Sequence, residues 1–447
     1  MRYIIYAFYL VFVLLFSVAG TTSILKYHLE GGQNYKFLRE VVGFLASTPM
    51  NIKNMYLNRS IDLDLPEKYL THNNKKKLVR FNDNKRNALL VLPRYDHSLK
   101  RSVVNIIDLN NWSTIHTYRH DINQMYSKVL NTEEFPKLLI DDSPKRFEYR
   151  NPLILNNGDL ISDSDYAPAF KIDFCSNLQW VNDEEIFHHG KMLDFEGNIW
   201  SPGQMNPKSK FVRKWGKSNT QDDSIIKFNT DGEISFNKSL LEIFIENKIV
   251  PENFALYNSY ILNNSDFFHL NKIEPALDNF LYWNKGDIFL SVPKVSAVVH
   301  YRPSTNKIIN YIVGPFDTIH DVDIISDSKI SIFHNKNFLD GNEYSELLVY
   351  NFKTEKFSKK LEKQFKEDKI KSITQGLSQT LKDGSVLIEE QNHGRIILYN
   401  NNGEKDWEFV NKDKNDDISF VSWSRVIEDK LFIEKFKLLV NDKKCLN

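Results

Sequence analysis

The sequence predicts an all-β fold, a six-bladed β-propeller behind an N-terminal transmembrane helix, and three observations predict it. Short apolar or β-branched runs bounded by turn residues fill the chain from about residue 80. One Gly-centred turn unit recurs along it, and the first 25 residues hold a long uncharged stretch. The implied organisation is an anchor or signal sequence at 1–25, a linker at 26–79, the propeller at 80–430 and a C-terminal segment at 431–447.

Tyr3–Leu25 carries no charged residue. As a helix rising about 1.5 Å per residue it reaches roughly 34 Å, enough to cross a hydrocarbon core of about 30 Å. The competing reading is a cleaved signal peptide: Arg2, an apolar run to Phe16, then Ser17-Val18-Ala19 with small residues at the −3 and −1 sites. Either reading exports or tethers the body. With Arg2 inside, the body lies on the periplasmic or extracellular side, although Lys26, Lys36 and Arg39 blunt the charge asymmetry. Tyr35–Leu45 follows, with Phe37, Leu38, Val41, Val42, Phe44 and Leu45 on one helical face. That short helix either packs on the body or lies on a membrane.

After the polar stretch His72–Arg80, the runs Ala88–Leu92, Val103–Ile107, Ser113–Tyr118 and Pro152–Leu155 read as strands. The recurring unit is Asn157-Gly158-Asp159, Glu196-Gly197-Asn198, Asp231-Gly232-Glu233, Lys285-Gly286-Asp287 and Asp383-Gly384-Ser385, with Asp327-Ser328-Lys329 as a form without Gly. Each Gly follows a polar residue where a hairpin turn requires positive φ, and a strand comes next. Turn starts fall roughly 35 to 56 residues apart, the range of a four-stranded propeller blade with insertions. Six blades of roughly 58 residues use the length better than eight, and two sandwiches would not repeat one turn along the whole chain.

Composition narrows the function. Apolar residues are 41% and aromatic residues 13% of the chain, enough for a packed core. Lys and Arg total 58 against 58 Asp and Glu, and the densest basic run is Lys75-Lys76-Lys77, so nucleic acid is not an expected partner. The two cysteines, Cys175 and Cys445, have no C-x-x-C spacing. They form neither a zinc knuckle nor a disulfide framework, and a single long-range bridge is left open. No cofactor motif and no paired-carboxylate motif is present.

In a propeller the innermost strand of each blade lines a central channel, so residues far apart in sequence converge there. Histidines fall at matching places: the pair His188-His189, then His269, then His320, with 80 residues between His189 and His269 and 51 between His269 and His320. Four stretches now become informative together: HHGKMLDFEGNIW at 188–200, DDSIIKFNTDGEISFNKSLLEIF at 222–244, HLNKIEPAL at 269–277 with GDIFLSVPKVSAVVHYRPSTNKI at 286–308, and GPFDTIHDVDII at 314–325. In this order, with HGRIILYNNNGEKDWEFVN at 393–411 as a weaker tail, the chain resembles the bacterial aryl-sulfate sulfotransferases over roughly 80 to 425, and particularly their membrane-anchored relatives.

The resemblance implies sulfuryl transfer between phenolic compounds without a nucleotide donor, through a histidine intermediate. It places the nucleophile on His320 and the substrate-binding roles on His189, His269, His188 and Asn271, and it implies a small phenol or aryl sulfate as partner. Two departures stand out. Where the family reads Ser-x-Arg, this chain has Ser291-Val292-Pro293, so the sulfate-binding Arg is replaced by Pro; Lys294 is adjacent, but neighbouring strand residues point to opposite faces. A proline is tolerable there if the strand is an innermost edge. Where the family reads His-His-Asp, this chain has Gly190, which removes an orienting partner for the imidazole.

Plainer readings apply elsewhere. His300, His334 and His393 are expected to be satisfied structural residues, and Trp200, Trp283 and Trp407 to be packing groups. Three function classes follow: an envelope sulfotransferase, a catalytically weakened propeller binding a ligand or partner through the same channel, and a metalloenzyme with three imidazoles on zinc.

Overall fold

The computed structural model describes residues 76–443 and 445, apart from 83–84, 131–137, 139–141, 145, 251–253, 255–264, 317, 337–343 and 373. The expected anchor at 3–25 and the amphipathic segment at 35–45 lie outside the described residues. Among the described residues no helix is long and apolar enough to cross a membrane.

Antiparallel strands dominate, in five sheets among the described residues. Lys272–Pro275, Ile288–Val292, Ala297–Arg302 and Lys307–Val313 form one four-stranded meander, and Ile319–Ser326, Lys329–His334, Glu346–Asn351 and Lys356–Lys360 form the next. Leu377–Thr380, Val386–Glu390, Arg395–Tyr399 and Lys405–Val410 make a third, which gains a fifth strand from Leu78–Arg80. The eight-stranded sheet runs from Arg150–Ile154 to Ile234–Ser239. It is continuous because the ten-residue strand Leu178–Phe187 runs on to pair with Ile199–Gln204, Phe187 opposite Gly203.

The sheets stack in a propeller-like arrangement. Arg150–Ile154, Met192–Leu193, Lys272–Pro275, Ile319–Ser326, Leu377–Thr380 and Arg425–Ile427 are the strands that come together on the inside. Middle strands are covered on both faces by neighbouring sheets, so Ile288–Val292 and Arg395–Tyr399 are buried throughout rather than alternating. Phe289, Val298, Ile319, Val322, Ile330 and Trp283 fill one such seam between sheets. Trp200 and Trp407 are likewise buried, Trp407 edge-on to Trp112 at 4.8 Å, which makes all three expected packing tryptophans core residues.

The expected turns form, and one of them means something different. Gly158, Gly197, Gly232, Gly286 and Gly384 all take φ between 82° and 88°. Four of these glycines, together with the tight turn at Asp327-Ser328, precede the second strand of a four-stranded unit. Gly232 instead joins Asp223–Phe228 to Ile234–Ser239, the outer hairpin, as Gly403 does between Arg395–Tyr399 and Lys405–Val410. The Asp231 turn therefore does not mark the start of a unit. Both positions demand the same local backbone, so the turn residues alone do not distinguish them.

Pro293 is not on an innermost strand. Ile288–Val292 is the second strand of its sheet, and it ends before the proline, which opens the 3₁₀ turn Pro293–Val295. That first position needs no backbone donor, so the proline is compatible there. Because the strand has ended, the alternating-face argument against Lys294 does not apply.

The C-terminal helix Lys430–Asp442 starts at Asp429, whose carboxylate accepts from the Phe432 N–H at 2.7 Å. Its buried Ile433 and Phe436 pack with Tyr118, Phe170 and Phe174. Just beyond it, Cys445 is disulfide-bonded to Cys175 across 270 residues of sequence. The bridge fixes the chain's end to the eight-stranded sheet. Cys445→Ser is expected to lower unfolding free energy by about 2–5 kcal/mol, read from urea titration without reductant; wild type titrated with reductant should fall to the same value.

Candidate functional site

Where the inner strands begin, the backbone repeatedly bends through the left-handed region. His189 lies three residues before Met192–Leu193 with φ 57°, His269 three before Lys272–Pro275 with φ 54°, and Trp423 two before Arg425–Ile427 with φ 60°. For side chains this large the conformation costs roughly 1–3 kcal/mol each, and the surrounding structure must hold it. The Gly190 N–H donates to the Asn271 carbonyl at 3.0 Å, and Gly190 bridges in parallel to Lys272. Leu270 N–H donates to Asp223 Oδ2 at 3.2 Å.

The predicted histidines converge. The His189 ring centroid lies 5.1 Å from that of His269 and 5.6 Å from that of His320. His188 stands behind, sharing a 2.7 Å Nδ1–Nδ1 hydrogen bond with His189, so one of the two nitrogens donates to the other. Asn271 is buried, and its Nδ2 donates to the Ile319 carbonyl at 3.2 Å, which ties it to the strand carrying His320. His300 is elsewhere and satisfied, between Asp287 at 2.9 Å and Asn310 at 3.0 Å and stacked on Phe289.

Each site imidazole has its own tautomer or charge. His320 Nδ1 meets the Gly376 carbonyl at 3.1 Å; a carbonyl only accepts, so Nδ1 carries the proton and the lone pair is on Nε2. Nε2 is buried and has no hydrogen-bond partner among the described residues. Burial first, then the charge of Arg150, pushes the His320 pKa down to about 3. Burial likewise takes His188 to about 3 and His189 well below its usual value. These three are neutral at physiological pH.

His269 is the exception. Its Nδ1 bonds Asp266 Oδ2 at 2.7 Å, and its side chain keeps 30% exposure. Burial works against the imidazolium, but the hydrogen bond and charge of Asp266, joined by Asp223, outweigh it and hold the pKa above the ordinary value. Burial, then the charge of Asp266, pushes Asp223 up to about 7. Lys294 also acts here: its N–H donates to the Phe268 carbonyl at 3.2 Å, and its charge is felt by Asp266 and His269. A cation therefore sits beside this part of the site although Pro293 has removed the arginine.

Several functional neighbours have no signal in the motifs. Arg150 opens the inner strand Arg150–Ile154 and is 4% exposed, with Nη2 3.4 Å from Glu148 and 3.6 Å from Asp165. Tyr166 follows Asp165, with φ 53° and its ring 5.4 Å from that of His188. The Trp423 ring lies 5.2 Å from His320 and 6.5 Å from His189. Its backbone N–H and that of Ser424 donate to Glu389 at 2.6 and 2.8 Å. Asp266, three residues before His269, was missed although that spacing is a signal that could have found it; Arg150 and Trp423 reach the site only through the fold. Among the described residues no group of three or more His, Cys, Asp or Glu side chains is placed to hold a metal ion.

The Arylsulfotransferase (ASST) family model matches residues 158–412, more than half of the sequence, and spans all four histidines. The chain belongs to this family. No curated protein matches it. Among solved structures, this arylsulfotransferase-family chain is similar to a protein of unknown function from Bacteroides caccae, at 10% identity over 77% of this chain and 100% of that one, with a TM-score of 0.48. It is also similar to a streptogramin B lyase, at 10% identity over 78% of this chain and 96% of that one, with a TM-score of 0.40. At such identities and scores the neighbours say nothing about chemistry.

Gly190, where the family has Asp, is explained by Trp423. A Cβ at 190 would lie 2.1 Å from the indole Cζ3 and 2.6 Å from Cη2. The histidines do not lack orientation for want of that Asp, because His188, Asp266 and the Gly376 carbonyl hold His189, His269 and His320 in turn. Gly190→Asp is expected to destabilise by about 1–3 kcal/mol through overpacking, and in Trp423→Ala, where the ring is gone, the same change should cost much less. A double-mutant cycle from denaturant unfolding checks this.

Proposed function

We propose that this protein is an aryl-sulfate sulfotransferase of the cell envelope, in which His320 carries a sulfuryl group between two phenolic oxygens. The observation that carries the reading is His320 itself: Nδ1–H committed to the Gly376 carbonyl, and a neutral, unpartnered Nε2 among three other imidazoles. In the first step the Nε2 lone pair attacks sulfur, the S–O bond to the aryl group breaks, and the phenolate leaves with that electron pair. Protonated His269 supplies its proton. In the second step the acceptor phenol returns a proton to His269, its oxygen attacks sulfur, and the S–N bond breaks. A covalent intermediate divides one difficult transfer into two easier ones. His189, with His188 behind it, and Asn271 complete the substrate-facing set.

The guanidinium that the family places at the position of Pro293 has a replacement in Arg150, whose charge is felt by both His189 and His320. A planar guanidinium holds two sulfate oxygens at once. The count of inner strands supports six blades, two of them fused through Leu178–Phe187. The Cys175–Cys445 disulfide favours an oxidising compartment, in keeping with export or tethering by residues 3–25 on the outer side of a membrane.

With a chromogenic aryl sulfate and excess phenol, His320→Ala should abolish turnover and the sulfated histidine seen by mass spectrometry, while His300→Ala retains both. Arg150→Met should lower the rate by about 10²–10³. Inert wild type with no trapped sulfohistidine across a panel of aryl sulfates would replace this reading with a channel-binding module, the role that loss of the family arginine favours.

The pH profile has a defined sign. With His320 at about 3, its protonation produces no acid limb between pH 7 and 5. His269 faces Asp266, Asp223, Lys294, His188 and His189, and its raised pKa means that the acid is lost as pH rises through that value. The rate of sulfohistidine formation should therefore fall on the alkaline side, and Asp266→Asn should move that limb to lower pH.

A further inference from the structure

The channel continues past Trp423. Residues further along the inner strands, Lys272, Asp321, Asp323, Ser378 and Arg425, line with Trp423 a cavity of about 320 Å³, and none of the four site histidines lines it. Each of its carboxylates has at least one partner, although Asp323 Oδ2 has none among the described residues. Lys272 Nζ lies 2.8 Å from Asp321 and also bonds Asp323. Glu428 accepts from the Lys382 N–H at 2.8 Å and from Arg86 at 3.3 Å, and Asp429 caps the C-terminal helix.

Arg425 is not answered. Its Nη2 reaches the Lys191 carbonyl at 3.4 Å and its Nη1 the Met192 sulfur at 4.0 Å; Nε is buried with no partner, and no carboxylate among the described residues forms an ion pair with it. Arg395, by contrast, holds Glu390 at 2.9 Å and Glu408 at 2.8 Å. Burial pushes the Arg425 pKa down to about 10, with Glu274 and Asp323 only partly opposing it. A guanidinium held this way costs stability unless something negative joins it. Two further donors on the same cavity have no partner among the described residues: Trp423 Nε1 and Ser378 Oγ, on residues no more than 3% exposed. Leu377, Val426 and Ile427 supply apolar wall between them.

We propose that this half of the channel is a second binding site, taking a small organic anion whose acidic group rests on Arg425 with Ser378, and whose apolar body lies against Trp423 and Leu377. The volume is enough for a single-ring carboxylate or sulfate ester. The site stands independently of sulfuryl transfer at His320, so either holds if the other fails.

Calorimetric titration of the full-length protein with benzoate, and separately with inorganic sulfate, tests it. Benzoate should bind wild type and His320→Ala alike, and more tightly than sulfate, because only benzoate uses the apolar wall. Arg425→Met should weaken benzoate by about tenfold or more, the loss of a charge-assisted hydrogen bond. It should not lower the ligand-free Tm, since it removes a partly buried charge that has no ion-pair partner among the described residues. Unchanged benzoate affinity in Arg425→Met, equal loss in His320→Ala, sulfate binding as tightly as benzoate, or no benzoate binding by wild type at millimolar concentration would each overturn the proposal. If Arg425→Met does not fold, Ser378→Ala decides: weaker benzoate binding supports the site and unchanged binding overturns it.

Discussion

Three residue pairs, Leu89 with Ile427, Leu90 with Val426 and Val91 with Arg425, join the last strand of the chain to a sheet built from its beginning. Leu78–Arg80 makes the reciprocal join, pairing with Lys405–Val410 near the other end. Ring closure covers the sheet face that an open stack would expose, while each sheet keeps short, protected edges. It also carries chemistry, because the residues just before Arg425–Ile427 are delivered into the channel. Trp423 reaches His320 only if this strand pairs in this register. The Cys175–Cys445 bridge acts in the same direction by holding the segment that follows the closing strand.

Inside the ring, burial decides protonation. His188, His189 and His320 are buried, the last two also feel the Arg150 charge, and all three are held neutral. His269 is more exposed and has a carboxylate of its own, and it alone is pushed the other way. Four imidazoles a few ångströms apart thus divide into a neutral set and one acid. A shared site requires that division if one histidine is to attack while another gives a proton, since four identical imidazoles would titrate together.

The sequence made legible what is local or repeated. Gly158, Gly197, Gly286 and Gly384 announce their turns because positive φ leaves few alternatives, and the histidine segments all fall where inner strands begin, His188-His189 and His269 just before one and His320 as the second residue of another. Gly232 misled on blade spacing because an outer hairpin needs the same backbone as an inner one. Pro293 misled on strand position because a proline beyond a strand end and a proline on an edge strand look alike in sequence. Arg150 and Trp423 were invisible for a different reason: neither lies near a histidine in the chain, and only ring closure and stacking bring them to the site.

The two departures from the family pattern have different physical characters. Gly190 and Trp423 are one feature, because the indole occupies the volume that any side chain at 190 would need. Trp423 also stands between the histidines and the cavity at Arg425, so the departure at Gly190 makes room for a wall within the channel. Pro293 is a replacement at a distance. It ends its strand at Val292, and the turn it opens returns the Lys294 N–H to Phe268, setting an ammonium beside His269 where the family would set a guanidinium. A point charge there biases His269 and Asp266 but cannot fork two oxygens of one sulfate. On the proposed chemistry the geometric half of the lost arginine's role therefore passes to Arg150, on the inner strand Arg150–Ile154, and the electrostatic half remains with Lys294. If that proposal holds, substrate orientation relative to His320 is set by Arg150 from a different strand than in the family pattern, which makes the choice of aryl group the property most open to divergence from the relatives of this chain.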